Sequence, residues 1–280
     1  MQPETAAVSA ATAAVDAMTA IDATSAATQA VPATGFALVL EKIDYAIMVP
    51  LFYLALAFMI VALTARLVAL IRAPREPFQL AIYPQARSSF AAAMRDAFGM
   101  PQIRKRDPIF WAFLAVFHVG LAGLVLGHFD ILPTLDLVPP ESRHMVGAGV
   151  VGVMVTFPVL FFMARRFAGD TRRISTPGDY LLLLLLLFTF LMGDLMSWGN
   201  SWTANGFVMT KSDFALYFDG LARFTFADPG LVLHGSHYHF AVLHVLLAEL
   251  VFVVLPFSKV VHAFLAVPVN VLRRRVWTHS

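Results

Sequence analysis

One apolar segment that carries two histidines constrains this sequence more than any other feature. Residues 110–132 read FWAFLAVFHVGLAGLVLGHFDIL and hold no charge before Asp130. At about 1.5 Å per residue, a helix of this length crosses most of a hydrocarbon layer about 30 Å thick. Ionisable side chains in membrane helices usually serve a ligand, an ion path or a proton path, whereas the plainer interpretation is hydrogen bonding between helices. His118 and His128 are therefore candidate ligands.

The composition of the chain is that of a multi-span membrane protein. Hydrophobic residues make up 59% of it and charged residues 14%, and the mean hydropathy is +0.74. The basic residues cluster between apolar runs, which membrane orientation explains, so the composition does not indicate nucleic acid binding. The absence of cysteine excludes disulfides, thiolate-held iron–sulfur clusters and c-type haem attachment, and it leaves histidine as the expected metal ligand.

The sequence predicts an all-α integral membrane protein of five transmembrane helices, with the N-terminus outside and the C-terminus inside. Arginine-rich segments after the first, third and fifth spans set this orientation, and a short helix is predicted at 88–98 on the cytoplasmic side. Residues 1–35 are expected to form a disordered or loosely ordered tail, residues 36–275 the membrane domain and residues 276–280 a cytoplasmic tail. The predicted spans cover about 45–70, 110–132, 144–162 and 180–198, and a fifth runs from near 240 to before Arg273.

Two further histidines, His244 and His262, lie in the last apolar segment. The second span leads outward and the fifth inward, so His128 should face His244 and His118 should face His262. Each pair is predicted to supply two axial nitrogens to one haem iron, which makes two b haems. The 18-residue spacing in the last segment equals five whole helical turns, which returns both rings to one face. The rises of about 15 Å and about 27 Å do not match, so helix tilt or a bend at Pro256 would have to correct them.

Three glycines accompany the histidines of the second span: Gly120, Gly123 and Gly127. A helix face without side chains would admit a flat macrocycle, and close packing of helices through small residues explains the same pattern. The sequence leaves both interpretations open.

Three segments of the chain carry a resemblance to a known family: FHVGLAGLVLGHF (117–129), ARRFAGDTRRISTPGDY (164–180) and LHVLLAELVFVVLPFSKVVHAFLAVP (243–268). They resemble the gamma subunit of respiratory nitrate reductase, a five-span cytochrome b, together with its relatives in sulphate- and sulphite-metabolising bacteria. The resemblance implies two b haems, an inner one on His118 and His262 and an outer one on His128 and His244. It also implies a quinol site at the outer haem, an iron–sulfur subunit docked on the cytoplasmic side, and a bacterial or archaeal cytoplasmic membrane.

Departures from that family bear on the partner. The resembled subunits lack the Ala-rich tail and have a shorter first cytoplasmic loop. They also have a lysine early in the third span that is linked to quinol binding, where this chain has Ser142, Arg143 and His144. We therefore expect a relative whose soluble partner is of the heterodisulfide-reductase-like iron–sulfur type, in a complex with further catalytic subunits.

The quinone site is predicted at the outer end of the bundle, from Gly127, His128, Arg143 and His144. Gly127 leaves space beside the ligand, and donors near a quinone oxygen favour the charge that develops on it. Residues at a span end also serve as membrane anchors, which is the alternative for Arg143 and His144.

Other polar residues have two interpretations each. Asp194 and Glu249 could carry protons or merely join helices by hydrogen bonds. The histidines of HGSHYH, His234, His237 and His239, fit either a metal site or a hydrated loop. Guanidinium groups match carboxylates well, so contacts with haem propionates are predicted for four arginines at the inner end: Arg104, Arg106, Arg165 and Arg166.

Two classes of function follow from these residues. The first is a redox subunit that exchanges electrons between the membrane quinone pool and a cytoplasmic iron–sulfur protein. The alternative is a histidine-lined transporter or metal permease, in which the four histidines and Glu249 line an ion path. Transporters of that kind usually show repeat symmetry or paired broken helices, and the sequence shows neither, so it favours the redox class.

Overall fold

The computed structural model describes residues 35–73, 89–132, 135, 137, 149–202, 211–233 and 237–274. Within these residues every regular element is a helix. Backbone contacts divide the chain into Met1–Ile43, of which residues 35–43 are described, and Asp44–Ser280. The predicted tails at 1–34 and 276–280, and the candidate residues Arg143, His144 and His234, lie outside the described residues.

Five helices are long and apolar enough to cross a membrane, which confirms the all-α membrane architecture. In chain order they are called the first to fifth spans: Gly35–Arg72, Pro108–Asp130, Val150–Phe167, Pro177–Gly199 and His239–Phe257. Shorter helices complete the described chain: Ser89–Gly99, Pro101–Arg106, Gly169–Arg173, Lys211–Ala222 and His262–Arg274. The predicted helix at 88–98 is thus present. The third span begins at Val150, and residues 144–148 of its predicted range lie outside the described residues.

Side-chain caps at the arginine-rich end fix where two spans begin. Asp107 accepts a hydrogen bond from the Phe110 amide at 3.0 Å, and Pro108 occupies the first helical position, where its missing N–H costs nothing. This hydrogen bond, followed by the Arg165 guanidinium, lowers the pKa of Asp107. The fourth span begins with a reciprocal cap, in which Thr176 donates its backbone N–H to Asp179 Oδ2 at 2.9 Å and the Asp179 amide donates to the Thr176 carbonyl.

A helix that the sequence analysis did not predict closes the opposite end of the bundle. Lys211–Ala222 lies between the predicted fourth and fifth spans. Its Tyr217 hydroxyl donates to the Met48 carbonyl, in a π-helical turn, Ile47–Leu51, that contains Pro50. Tyr53 of the first span donates back to the Leu221 carbonyl at 2.8 Å. Burial raises the pKa of Tyr217, so its phenol stays a donor.

The spans pack in the order second, third, fourth, fifth and first. Val155 and Val159 of the third span are fully buried against Leu183, Leu187 and Phe190 of the fourth. The second span packs on the third and the fifth on the fourth. The third and fourth spans therefore support the two helices that carry the histidines.

The prediction of one continuous helix through both late histidines is wrong. Two 3₁₀ turns, Leu255–Phe257 and Lys259–Val261, separate the helix His239–Val254 from the helix His262–Arg274. Pro256 lacks an N–H, and Ser258 between the turns is extended, with φ −96° and ψ 171°. Ser258 Oγ accepts from the Val260 amide and so caps the second turn. The direction of the His262 side chain is therefore set by the two 3₁₀ turns and not by a continuous α-helix from His244.

Candidate haem-binding site

The four histidines meet as two pairs, in which the second span faces the fifth span at His244 and the following helix at His262. The ring centres of His118 and His262 are 6.2 Å apart, with their planes at 61°. Those of His128 and His244 are 6.3 Å apart, with their planes at 15°. The first pair lies toward the arginine-rich end and the second toward the opposite end. We call them the inner and the outer pair, in keeping with the predicted orientation.

The ring separation in each pair fits two imidazoles that bind one metal ion from opposite sides. A metal–nitrogen bond of about 2 Å plus about 1.1 Å from nitrogen to ring centre, counted on both sides, gives a separation of about 6.2 Å. The described residues contain no group of three or more His, Cys, Asp or Glu side chains that could hold a metal ion by themselves. Two axial imidazoles and a macrocycle that fills the other positions suit this donor set.

Each imidazole is anchored through Nδ1 to a backbone carbonyl. His118 donates to the Leu114 carbonyl at 2.7 Å and His128 to the Leu124 carbonyl at 2.8 Å, both one turn earlier in the same helix. His262 donates to the Lys259 carbonyl at 2.8 Å. Because a carbonyl only accepts, the proton lies on Nδ1 and the lone pair of Nε2 is left for a metal.

The fourth anchor comes from a neighbouring helix. His244 donates from Nδ1 to the Thr189 carbonyl of the fourth span at 2.9 Å. Gly193 lies one turn further along that span, and a Cβ placed there would be 3.2 Å from His244 Cε1. The absence of a side chain at Gly193 therefore admits the imidazole. The sequence analysis missed both residues, because the only local signal in the leucine-rich fourth span is a glycine fifteen residues after Gly178.

Two of the three glycines of the second span fit the helix-packing interpretation. A Cβ at Gly120 would lie 2.7 Å from Met154 Cβ, and one at Gly123 would lie 3.3 Å from Val151 Cγ2. Both glycines thus serve close packing against the third span. Gly127, next to His128, is half-buried.

The two membrane acids have different surroundings. Asp194 is 4% exposed and accepts from the Thr156 hydroxyl at 2.8 Å. Its Oδ1 lies 2.1 Å from where Gly152 would carry a Cβ, so the carboxyl group fills a notch in the third span. Glu249 is 2% exposed, and neither of its carboxyl oxygens has a hydrogen-bond partner among the described residues. Asp194 joins two helices, whereas the buried carboxyl group of Glu249 makes no hydrogen bond within the described part of the chain.

Three of the four inner arginines have contacts within the chain. Arg165 pairs with Asp107 at 2.8 Å and lies 4.5 Å from the centre of the Phe110 ring. Arg104 lies 5.1 Å from the Trp111 ring centre, and Arg166 is 3.3 Å from Asp179. Arg106 is exposed. Contacts of these side chains with haem propionates stay a prediction, and they would have to share the guanidinium groups with these partners.

The remaining candidates are only partly described. Asp130, at the end of the second span, is buried and accepts from the Leu137 amide at 2.9 Å, which holds the following loop near His128. Of the HGSHYH segment, His237 stacks against Phe240 and His239 lies against Tyr238. These contacts suit aromatic packing at the span end.

The sequence matches a known family over most of the bundle. The family model described as the nitrate reductase gamma subunit matches residues 100–279, which include the second to fifth spans and all four paired histidines. The first span, Gly35–Arg72, lies outside the matched range.

Curated relatives agree with that match. Respiratory nitrate reductase 1 gamma chain of Escherichia coli (strain K12) is 27% identical over 172 residues, which are 57% of this chain and 73% of the relative. Nitrate reductase gamma chain of Bacillus subtilis (strain 168) is 29% identical over 174 residues, again 57% and 73%. Respiratory nitrate reductase 2 gamma chain of Escherichia coli (strain K12) is 26% identical over 180 residues, 61% and 76%. The chain belongs to the nitrate reductase gamma subunit family, and it is thus an inner-membrane cytochrome b subunit of a respiratory oxidoreductase complex.

Proposed function

We propose that this chain binds two b haems and carries electrons between the quinone pool at the outer face and a cytoplasmic iron–sulfur subunit. The observation that carries the proposal is the double pairing of imidazoles, at 6.2 Å and 6.3 Å, between the second span and the segment that holds His244 and His262. A histidine-lined ion path does not require such a separation twice. Haem iron, when bound, supplies one-electron redox chemistry, while the protein supplies ligands, orientation and electrostatics.

In this proposal, the protein holds the four histidine Nε2 atoms in two facing pairs. The Nδ1 hydrogen bonds fix the tautomer and the ring orientation, and a backbone acceptor on Nδ1 raises the basicity of Nε2. His262 and His244 take their acceptors from a 3₁₀ turn and a neighbouring span. The packing of the bundle therefore decides the aim of these two ligands.

We place quinone at the outer pair, near Gly127 and His128, with Arg143 and His144 as donors from the start of the third-span segment. The support is positional. His128 is two residues from Asp130, which accepts a hydrogen bond from the Leu137 amide at the same end of the bundle, and Arg143 follows Leu137 by six residues. Donors there favour the charge that develops on a quinone oxygen.

For the proton path we propose Glu249 alone, without Asp194. Asp194 already fills the Gly152 notch and bonds Thr156, whereas both oxygens of Glu249 are without a partner. Ionisable groups buried in membrane helices commonly mark proton relays. Glu249 lies five residues inward of His244 on the fifth span, within reach of protons released on the outer side.

The soluble partner is proposed to dock at the arginine-rich end and to be of the heterodisulfide-reductase-like iron–sulfur type, together with further catalytic subunits. The support is the Ala-rich segment 1–35 and the long connection between the first two spans. Two helices lie at this end, Ser89–Gly99 and His262–Arg274, and they pack against each other. They would form part of the docking surface.

The first experiment counts haem. Purified protein should show a reducible b-type spectrum with two haems per chain, and His118→Ala and His262→Ala should each remove the same spectral component. His128→Ala and His244→Ala should both remove the other one. A colourless protein, a ratio near one, or the loss of a single shared component in all four variants would refute the double pairing.

The second experiment addresses the quinone site. In Arg143→Ala with both haems retained, reduction by quinol should slow at least tenfold while reduction by dithionite stays unchanged. Glu249→Gln should slow the same quinol reaction, and Asp194→Asn is its matched control because it also replaces a buried membrane carboxyl group. Wild-type quinol kinetics in Arg143→Ala would move the site elsewhere, and equal slowing in both acid variants would remove the special role of Glu249.

A further inference from the structure

An ion pair between an exposed lysine and a buried aspartate at the arginine-rich end is connected to an imidazole of the inner pair. Lys259 Nζ lies 2.8 Å from Asp179 Oδ2, and the side chains are 64% and 5% exposed. The backbone carbonyl of the same Lys259 accepts the Nδ1 hydrogen bond of His262 at 2.8 Å. One residue thus joins the fourth span, through its side chain, to a proposed haem ligand, through its main chain.

Asp179 is itself held rigidly at the start of the fourth span. Its Oδ2 accepts from the Thr176 amide at 2.9 Å and the Thr176 hydroxyl at 3.1 Å. Arg166 of the third span approaches the same oxygen at 3.3 Å and also donates to Ser175 Oγ at 3.1 Å. Tyr180 donates to the Arg166 carbonyl at 2.7 Å. Lys259 is therefore attached to a fixed point formed by the third and fourth spans.

The segment that carries Lys259 has little regular structure of its own to hold it. It is a 3₁₀ turn of three residues, Lys259–Val261, between an extended Ser258 and the first residue of the next helix. Short 3₁₀ turns have poorer hydrogen-bond geometry than an α-helix. The ion pair with Asp179 therefore restrains a segment that its own backbone hydrogen bonds hold weakly. A partly buried charged pair with several hydrogen bonds restrains a segment more strongly than an exposed pair does.

We propose that Asp179 and Lys259 are positioning residues for the inner haem, which hold the Lys259 carbonyl in line with Nδ1 of His262. This inference rests on the proposed function, since it takes His262 as an axial ligand. It adds that the orientation of this ligand is set by a charge pair from another span. His118 needs no such device, because its Nδ1 acceptor is in its own helix.

The test uses electron paramagnetic resonance of the oxidised two-haem protein. The low-field signal of a low-spin ferric haem depends on the angle between its two imidazole planes, and these angles are 61° and 15° in the two pairs. The component lost in His262→Ala identifies the inner haem and tests the proposed function separately. A failure there rejects the haem assignment, whereas a normal His262→Ala result leaves the present inference to the next variants.

Three variants of the Lys259–Asp179 pair test the positioning role: Lys259→Met, Asp179→Asn and the double variant. Each should shift the inner low-field signal by the same amount, because each removes the same ion pair, and the effects of two changes within one interaction are not additive. The outer signal should stay in place. Lys259→Arg, which keeps the charge, should retain the wild-type position.

The matched control is Asp107→Asn. Asp107 also caps a span and pairs with an arginine of the third span, and neither contact involves Lys259. The inner low-field signal should therefore stay at its wild-type position in Asp107→Asn. An unchanged inner signal in Lys259→Met overturns the proposal, and so does a shift in Asp179→Asn that Lys259→Met does not reproduce. If Asp179→Asn does not accumulate, Lys259→Met alone decides, since its exposed side chain can be replaced without loss of the cap.

Discussion

Replacing Gly193 should perturb the outer haem without weakening the protein fold. An alanine Cβ would lie 3.2 Å from Cε1 and 3.6 Å from Nδ1 of His244, which is tighter than ordinary van der Waals contact, so the ring must retreat by a few tenths of an ångström. That retreat lengthens a hydrogen bond that is 2.9 Å long to the upper end of the useful range, about 3.2 Å.

Gly193→Ala is expected to change haem affinity and fold stability in opposite directions. Loss of the Nδ1 hydrogen bond costs about 1 kcal/mol, equal to a roughly fivefold loss of affinity for the ligated group. Gly→Ala within a helix stabilises the fold by about 0.5–1 kcal/mol. Gly193→Ala should therefore keep or raise the thermal stability while it weakens and shifts the outer haem, and Gly193→Val should eliminate that haem.

The assay compares haem content, the spectrum of each haem and the unfolding temperature in detergent. Gly178→Ala is the matched control, because it lies in the same span and its Cβ would meet only Thr176 Oγ1, at 3.9 Å. If Gly193→Val retains two haems with unchanged spectra, His244 does not need the space beside Gly193, and the fourth span does not set the position of this ligand.

Two further predictions concern the orientation and the helix pairing. A reporter fused after Ser280 should be active only in the cytoplasm, given the basic residues at the ends of the first, third and fifth spans; activity only in the periplasm would exchange the inner and outer haems. Gly152→Ala places a Cβ 2.1 Å from Asp194 Oδ1 and should destabilise the third–fourth pair by about 1–3 kcal/mol, measured as a lower unfolding temperature. Thr156→Val, which removes only the hydroxyl bonded to Asp194, should cost less, and a reversed order would contradict the notch.

The sequence was sufficient for the features that long apolar periodicity and rare residue types determine. Five spans follow from runs of apolar residues that only a membrane accommodates. The four histidines stand out because imidazole is costly in lipid, and their pairing follows from the opposite directions of two helices. The structure brings together both predicted pairs, His118 with His262 and His128 with His244.

The features that the sequence did not predict depend on contacts between distant segments. The predicted rise between the histidines of the second span differs from that between His244 and His262. The sequence could not reconcile the two rises, because a single proline indicates a bend but not the direction of the helix after it. The structure shows two 3₁₀ turns after Val254 instead. Gly193 has no local signal, because its importance comes from an imidazole on another span. The helix Lys211–Ala222 is short and mixes polar with apolar residues, and its position depends on contacts with distant residues such as Met48 and Tyr53.

The break in the fifth span has a mechanical consequence for the inner ligand. His262 is the first residue of the helix His262–Arg274, which packs against Ser89–Gly99, whereas His244 lies within the membrane helix His239–Val254. The two late histidines thus belong to different helices, separated by two 3₁₀ turns. The proposed inner ligand begins the helix at the arginine-rich end, and the proposed outer ligand lies in the membrane helix before the turns. We therefore expect a partner bound at the arginine-rich end to affect the inner haem more than the outer one.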